Sequence, residues 1–365
     1  MTDKPFLTIF IPVYNAEKYL DDLFATLKNQ TCRDFEVFFC DDCSTDRSQE
    51  IIRKFIDDNS GDGARYILYK AEKNRGSSHF HFSEVFRYLN GTYLIAFTQD
   101  DCIDADFVER CRQKSMEDDY DIILSNLVFL ENGKTRPLGK EYLADFQNKK
   151  LTNRDMFELS LNWKVSAEGC IKHLLKKAGY FDYPYYTIDE FATRKALLMT
   201  DKIAYVDVNC YYRIDNPNAL TKKMKPFSFD ALTTNTWLAD LLAEYDFGAD
   251  TIEKQIEKLV KDNNWFVFKF FENIDDYSVE QQREIREKLT KAHEKIASYL
   301  VKYKKDPSVL YDLEQVENGV LYKSKGLPYV FEIQTYRKRE NKIRAVKLFG
   351  LQIAKWIVKK KRKKS

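Results

Sequence analysis

The first hundred residues alternate between two periods of hydrophobic placement. Residues 6–13 (FLTIFIPV) form an unbroken apolar run rich in branched side chains, which suits a strand buried on both faces. Residues 16–29 then place Tyr19, Leu20, Leu23 and Leu27 at helical spacing. The alternation repeats: 35–40 predicts a strand, 46–56 a helix with Ile51, Ile52 and Phe55 inward, 66–69 a strand, 77–89 a helix and 93–98 a strand. Repeated β-α units of this length predict right-handed crossovers and a parallel sheet with helices on both faces. Such sheets take their ligands beyond the carboxyl ends of the strands.

The middle of the chain is less regular. It predicts strands at 121–129 and 203–208 and helices near 154–162 and 189–199. From 226 onward the period is helical almost throughout, at 227–245, 251–271 and 279–303. The pattern therefore divides into an α/β region, 1–225, a helical region, 226–334, and a tail, 335–365. Aromatic positions such as Trp265, Phe266, Phe268, Phe270 and Phe271 suit either a core or the interface of a homo-oligomer.

Composition narrows the class. Hydrophobic residues make up 44%, enough for a sizeable core. No apolar run approaches the ~20 residues of a membrane-spanning helix. No signal-peptide pattern is visible either, so the expected address is cytoplasmic. Seven cysteines, an odd number in a large chain, argue against a disulfide framework. Cys40-x-x-Cys43 lacks the second ligand pair of a zinc site and reads as reduced thiols near a strand end. The formal charge of +2 conceals an asymmetry: residues 335–365 hold 13 basic residues against Glu340, a local +12, which leaves −10 for residues 1–334. An acidic body excludes the basic stripe of a nucleic-acid-binding domain.

Polar clusters follow three strand candidates: Pro12-Val13-Tyr14-Asn15, Asp41-Asp42-Cys43-Ser44-Thr45-Asp46 and Thr98-Gln99-Asp100-Asp101. In a parallel sheet they converge on one edge, where gathered carboxylates repel unless a cation or ligand donors intervene. Mg²⁺ or Mn²⁺ typically uses one or two protein carboxylates plus substrate phosphates. Some members have plainer duties. Asp46 is placed to cap the second helix, Asp104 to cap the next, and Asp-Asp after a strand is also a common turn.

These residues resemble family 2 glycosyltransferases of the GT-A fold. The opening FIPVYNAEKYLDDLFATLKNQTCRDFEVFFCDDCSTDRS is similar to that family's N-terminal signature nearly throughout. The likeness is strong over 5–110, moderate over 165–221 and absent beyond 225. It implies a Rossmann-like, mostly parallel sheet flanked by helices. Residues 1–110 would form the nucleotide-sugar half and 111–225 the acceptor half. It implies that Pro12, Tyr14 and Asn15 line the nucleotide pocket and that Asp42, with Asp41 beside it, contacts the base, usually uracil. Asp100 and Asp101 match the metal-binding pair, with Asp101 at the metal and diphosphate and Asp100 toward the ribose or sugar. Thr98 stands where the fullest pattern has a further acid. Asn74-Arg75-Gly76 is similar to the family's Asn-x-Gly turn, and His81 replaces the arginine usual five residues beyond that glycine. Arg75 or His81 is then a candidate phosphate contact, and Arg213 a candidate diphosphate contact.

The stretch TIDEFATRKALLMTDKIAYVDVNCYYRIDNPNALT resembles the family's acceptor-side acidic motif and the segment after it. It implies Asp189 as catalytic base with Glu190 as the alternative. Acids at a helix start also simply offset its dipole. The whole resemblance implies an inverting, metal-dependent hexosyltransferase. It would move a sugar from a UDP-linked donor to a saccharide or lipid-linked saccharide, in surface polysaccharide or glycolipid assembly. A nucleotidylyl transferase would want a glycine-rich loop that IPVYNAEK lacks. A second reading, a degenerate transferase fold that binds nucleotide-sugar or a partner without catalysis, rests on Thr98 and His81. In the tail, residues 343–358 place Ile343, Val346, Phe349, Ile353, Trp356 and Ile357 largely on one helical face before the basic run 359–364. That pattern suits either an anionic membrane surface, which would make the protein peripheral on its cytoplasmic face, or a packing helix with a solvated charge run.

Overall fold

The computed structural model describes residues 4–76, 78–167, 169–172, 178, 187–217, 219, 222, 224–313, 316, 346–348 and 351–354. The chain forms two compact units, Met1–Lys222 and Lys223–Ser365, close to the boundary expected at 225.

The first unit opens with β1 (Leu7–Val13), α1 (Leu20–Lys28), β2 (Phe35–Asp41), α2 (Ser48–Asp58) and β3 (Arg65–Lys70). A short helix α3 (Phe82–Val85), flanked by 3₁₀ turns at Ser78–His81 and Phe86–Tyr88, leads to β4 (Tyr93–Ala96). These strands run parallel in the order β3-β2-β1-β4. Every residue of β2 is buried, as the continuous apolar run requires. The helix expected over 77–89 is thus broken. Its run of Phe, His, Ser and Tyr offers little helix propensity to carry an uninterrupted coil.

The remainder of this unit comprises β5 (Cys102–Ile103), α4 (Phe107–Ser115), β6 (Ile122–Glu131), β7 (Lys134–Leu138), α5 (Lys140–Gln147), α6 (Asn153–Leu161), β8 (Gly169–Ile171), α7 (Ile188–Leu198) and β9 (Ile203–Arg213). Among the described residues one nine-stranded mixed sheet results, ordered β3-β2-β1-β4-β8-β6-β9-β5, with β7 also on β6. β8 is antiparallel to both β4 and β6, and β5 is antiparallel to β9. The parallel half is therefore joined to a mixed half, in which β6 and β9 keep the direction of β1–β4 and the short β5, β7 and β8 are reversed.

The second unit packs α8 (Asp230–Glu244), α9 (Ala249–Glu272) and α10 (Val279–Lys302). Phe229, Phe266, Phe270 and Tyr277 cluster at its centre, with ring centroids 5.6–6.4 Å apart. Phe266 and Phe270 are thus core residues, while Trp265 is exposed. Within the tail the structure corrects the helical expectation: β10 (Val346–Leu348) and β11 (Leu351–Ala354) pair antiparallel. The two residues between them in sequence are Phe349-Gly350, and glycine in a two-residue connection favours a hairpin over a helix. Trp356 and the basic run 359–364 lie outside the described residues.

Candidate functional site

Beyond Phe10 the partner β4 ends, whereas β2 follows β1 to its last residue, Val13 opposite Asp41. β1 therefore extends past its β4 partner, and Pro12 lies in that extension. Polar side chains clasp the three loops that follow β1, β2 and β4. Tyr14 N–H donates to Gln99 Oε1 (2.7 Å), and Gln99 Nε2 returns a bond to the Tyr14 carbonyl (3.1 Å). Asn15 N–H donates to Ser44 Oγ (2.9 Å), and Asn15 Oδ1 accepts from Thr45 N–H (2.8 Å). Asn15 takes a positive φ of 49°, a conformation asparagine tolerates better than most residues. The clusters after β1, β2 and β4 thus converge as their order in the sheet requires.

Asp41 and Asp42 are both fully buried but differ in occupation. Asp41 accepts from Ser44 N–H and from Gln49 Nε2 on α2 (2.7 Å), so it braces the turn. Asp46 Oδ1 accepts the N–H of Ser48, the first residue of α2, from the position before the N-cap, Arg47, so it braces the helix start without being the cap expected of it. Asp42 Oδ1 accepts from Arg75 N–H and lies 2.8 Å from His81 Nε2. Asp42 Oδ2 is buried without a hydrogen-bond partner.

His81 is therefore not where a phosphate contact was expected: it is 1% exposed and lies behind Asp42. The cause is Arg75, whose guanidinium pairs with Glu84 and donates to the Phe80 carbonyl, folding the 75–84 segment back over the end of β2.

At the end of β4 the Thr98 hydroxyl reaches both Asp100 Oδ1 (2.7 Å) and Asp101 Oδ2 (2.8 Å). Asp101 also accepts from Thr98 N–H (2.8 Å) and Arg213 N–H (3.0 Å), and is 2% exposed. Burial first, and the neighbouring Asp100 charge second, push its carboxyl up to about 7. Asp101 thus has both oxygens engaged from within the protein, and so has Asp100, through Thr98 and Asn216. The Asp101 bonds back to Thr98 close the turn that presents Asp100. Asp100 Oδ2 accepts from Asn216 Nδ2 (2.6 Å), and Asn216 Oδ1 accepts from Tyr19 Oη (2.7 Å).

Arg213, at the end of β9, donates from Nε to the Asp100 carbonyl (3.2 Å) and pairs with Asp22. The structure thus gathers Asp42, Asp100, Asp101, Arg213 and the 12–15 loop. It adds Asn216 and Gln99, which the sequence pattern did not single out, although Asn216 lies within the IDNPNALT stretch. Asp104 does not cap α4; its carboxylate holds Asn209 and Tyr211 of β9 instead.

On the acceptor side, Asp189 and Glu190 open α7. Glu190 pairs with the buried Arg194 (2.9 Å), whereas Asp189 Oδ1 accepts the Glu190 N–H. The seven cysteines are unbridged thiols. Burial pushes the Cys40 thiol up, and Cys43 Sγ bonds the Ala71 carbonyl, which leaves both structural. A groove of about 1190 Å³ between α1 and α2 touches Asn15 and Asp46 but neither Asp42 nor Asp100.

Among the described residues no three His, Cys, Asp or Glu side chains are grouped to hold a metal ion. The donor set fits a divalent cation only in the sparse form, with Asp100 supplying one carboxylate and a bound diphosphate the remaining oxygens.

Residues 8–172 match the family described as Glycosyl transferase family 2. Among characterised proteins, the chain is 28% identical over 221 residues to glycosyltransferase GlyA of Streptococcus pneumoniae, covering 57% of this chain and 30% of that one. It is 24% identical over 215 residues to a poly(ribitol-phosphate) beta-glucosyltransferase of Bacillus spizizenii, covering 57% and 32%. The matched stretch thus spans about a third of the length of each of these relatives. Among solved structures, S. aureus TarS 1–349 in complex with UDP-GlcNAc aligns over 87% of this chain and 93% of that one, with a TM-score of 0.56 at 19% identity.

Proposed function

We propose that this chain, whose residues 8–172 match glycosyltransferase family 2 and whose fold is of the GT-A type, moves a sugar from a UDP-linked donor to an acceptor hydroxyl with inversion. The observation that carries this reading is the clasp of three strand-end loops that sets Asp42 and Asp100 on one edge of the parallel sheet. The solved neighbour bound to UDP-GlcNAc supports the choice of nucleotide, although that ligand belongs to TarS alone.

In this reading Asp42 accepts a ring N–H of the base through its unsatisfied oxygen. Asp100 faces the diphosphate, and Asp101 holds the turn from behind. Arg213 anchors the Asp100 carbonyl and extends a cationic group to the phosphate side. A divalent cation bound at Asp100 would neutralise charge building on the leaving diphosphate. Asp189 takes the proton from the acceptor hydroxyl as it attacks the anomeric carbon from the face opposite the nucleotide. Glu190, paired with Arg194, is the alternative base. The proposed acceptor is a saccharide or lipid-linked saccharide of a surface polymer; the name of the B. spizizenii relative, a poly(ribitol-phosphate) beta-glucosyltransferase, supports only surface-polymer assembly. The basic 335–365 segment would bring the acidic body to an anionic membrane surface.

The test of the catalytic assignment is Asp189→Asn. Transfer should fall about 10²–10⁴-fold, the usual contribution of a positioned base, while UDP affinity by calorimetry stays unchanged. Full transfer activity in that variant would remove Asp189 from the role.

A further inference from the structure

Two buried polar atoms without hydrogen-bond partners lie on neighbouring residues behind the β2 end: Asp42 Oδ2 and His81 Nδ1. The atoms beside them are joined, His81 Nε2 to Asp42 Oδ1 at 2.8 Å, with both side chains 2% exposed or less. An ionised carboxylate has no hydrogen to give, so the imidazole must carry its hydrogen on Nε2 and donate. Asp42 Oδ1 is saturated by that bond and by Arg75 N–H. Its carboxylate plane is therefore set by His81 from one side and by backbone from another. Oδ2 is left as the acceptor that the fold does not satisfy.

A buried acceptor left empty is costly, and the deficit is met when a ligand brings a donor. A base with a ring N–H flanked by carbonyls, as in uracil, meets it. Cytosine presents a lone pair at the same ring position, so acceptor would face acceptor.

We propose that His81 is a positioning residue for nucleotide recognition: it locks the Asp42 carboxylate so that Oδ2 selects a base carrying a ring N–H. This inference rests on the UDP-donor reading above and deepens it. Other side chains surround the imidazole without hydrogen-bonding Nδ1. Glu84 of α3 stands 3.5 Å from Nδ1, Arg75 pairs with Glu84, and the Tyr69 hydroxyl of β3 bonds Glu84 at 3.2 Å. The Tyr69 ring lies 6.4 Å from the imidazole. Removing the imidazole frees the carboxylate to rotate, which costs base selection before it costs phosphate contacts.

The experiment is calorimetric titration of the full-length protein with UDP and with CDP, each with Mn²⁺, in wild type, H81Q and H81A, with Tm recorded for each. Glutamine can set its amide nitrogen where Nε2 stands. Wild type and H81Q should bind UDP at least about tenfold more tightly than CDP, the worth of one hydrogen bond to a charged group. H81A should lose about tenfold in UDP affinity, with little change for CDP, so that the two nucleotides become equivalent. If H81A does not fold, H81N, whose amide is too short to reach Asp42, takes its place with the same expected readings. Retention of the wild-type UDP-over-CDP ratio in a folded H81A or H81N would overturn the inference and leave the transferase reading standing. Failure of wild type to bind UDP at all would overturn the transferase reading and the inference with it.

Discussion

At the carboxyl end of β4 the Thr98 hydroxyl, with one hydrogen, stands within bonding distance of two carboxylates. Burial first and the Asp100 charge second push Asp101 up to about 7 from an ordinary 3.8, against the Thr98 and Arg213 hydrogen bonds that hold it down. The sign follows from linkage: the folded protein binds this proton more tightly than the unfolded chain does. The associated stability is therefore full below about pH 4 and is lost as pH rises through 7. Over that interval the shift is worth up to about 4 kcal/mol. Lowering pH from 8 to 6 without divalent cation should raise the Asp101 contribution to Tm, and Asp101→Asn should flatten that slope. An identical pH slope in the variant would show that Asp101 is not the group that titrates. The separate roles of the two acids were not legible in the sequence. Two adjacent aspartates are indistinguishable there, and only the backbone N–H groups of Thr98 and Arg213, both given to Asp101, tell them apart.

Among elements, the parallel half was legible because β1 and β2 are buried on both faces and so write their positions as unbroken apolar runs. The reversed strands were not. β5 and β8 are two and three residues long, too short for any period, and β7 (KTRPL) is exposed along most of its length. β9 runs past its predicted end because Asn209, Tyr211 and Arg213 are polar for a reason the pattern cannot carry: they bond Asp104 and Asp101. The loop before β4 shows how tightly the readable half is packed. A Cβ on Gly91 would strike the backbone nitrogen of Thr8 in β1. Gly91→Ala should therefore cost about 1–3 kcal/mol in urea unfolding, the range for forced overpacking. A neutral result would mean that the β1–β4 contact is looser than this geometry allows. In the helical unit, Ser278 accepts from Gln281 N–H at the start of α10, so Ser278→Ala should cost about 1 kcal/mol in the same assay.

For the molecule as a whole, charge is divided as sharply as structure: −10 over residues 1–334 against +12 over 335–365. Among the described residues no helix is long and apolar enough to cross a membrane; in the proposed reading the basic run 359–364 attaches the tail electrostatically at the interface. Sedimentation with anionic vesicles should be lost on deleting residues 343–365 and on raising salt. Unchanged sedimentation after the deletion would remove the tail from that role. The residues of the proposed donor half were legible because they sit at the ends of readable strands. The acceptor half depends on elements with no period to announce them, so the acceptor can be assigned only by class.

If the strand-end edge is a UDP site completed by a cation at Asp100, nucleotide and metal must bind cooperatively there. Calorimetric titration with UDP, with and without Mn²⁺, in wild type and in Asp100→Asn probes that coupling. Mn²⁺ should strengthen UDP binding in wild type, and the substituted protein should lose this gain while keeping its fold. UDP binding that ignores both Mn²⁺ and the substitution, or no UDP binding in wild type, would rule the cation-completed UDP site out.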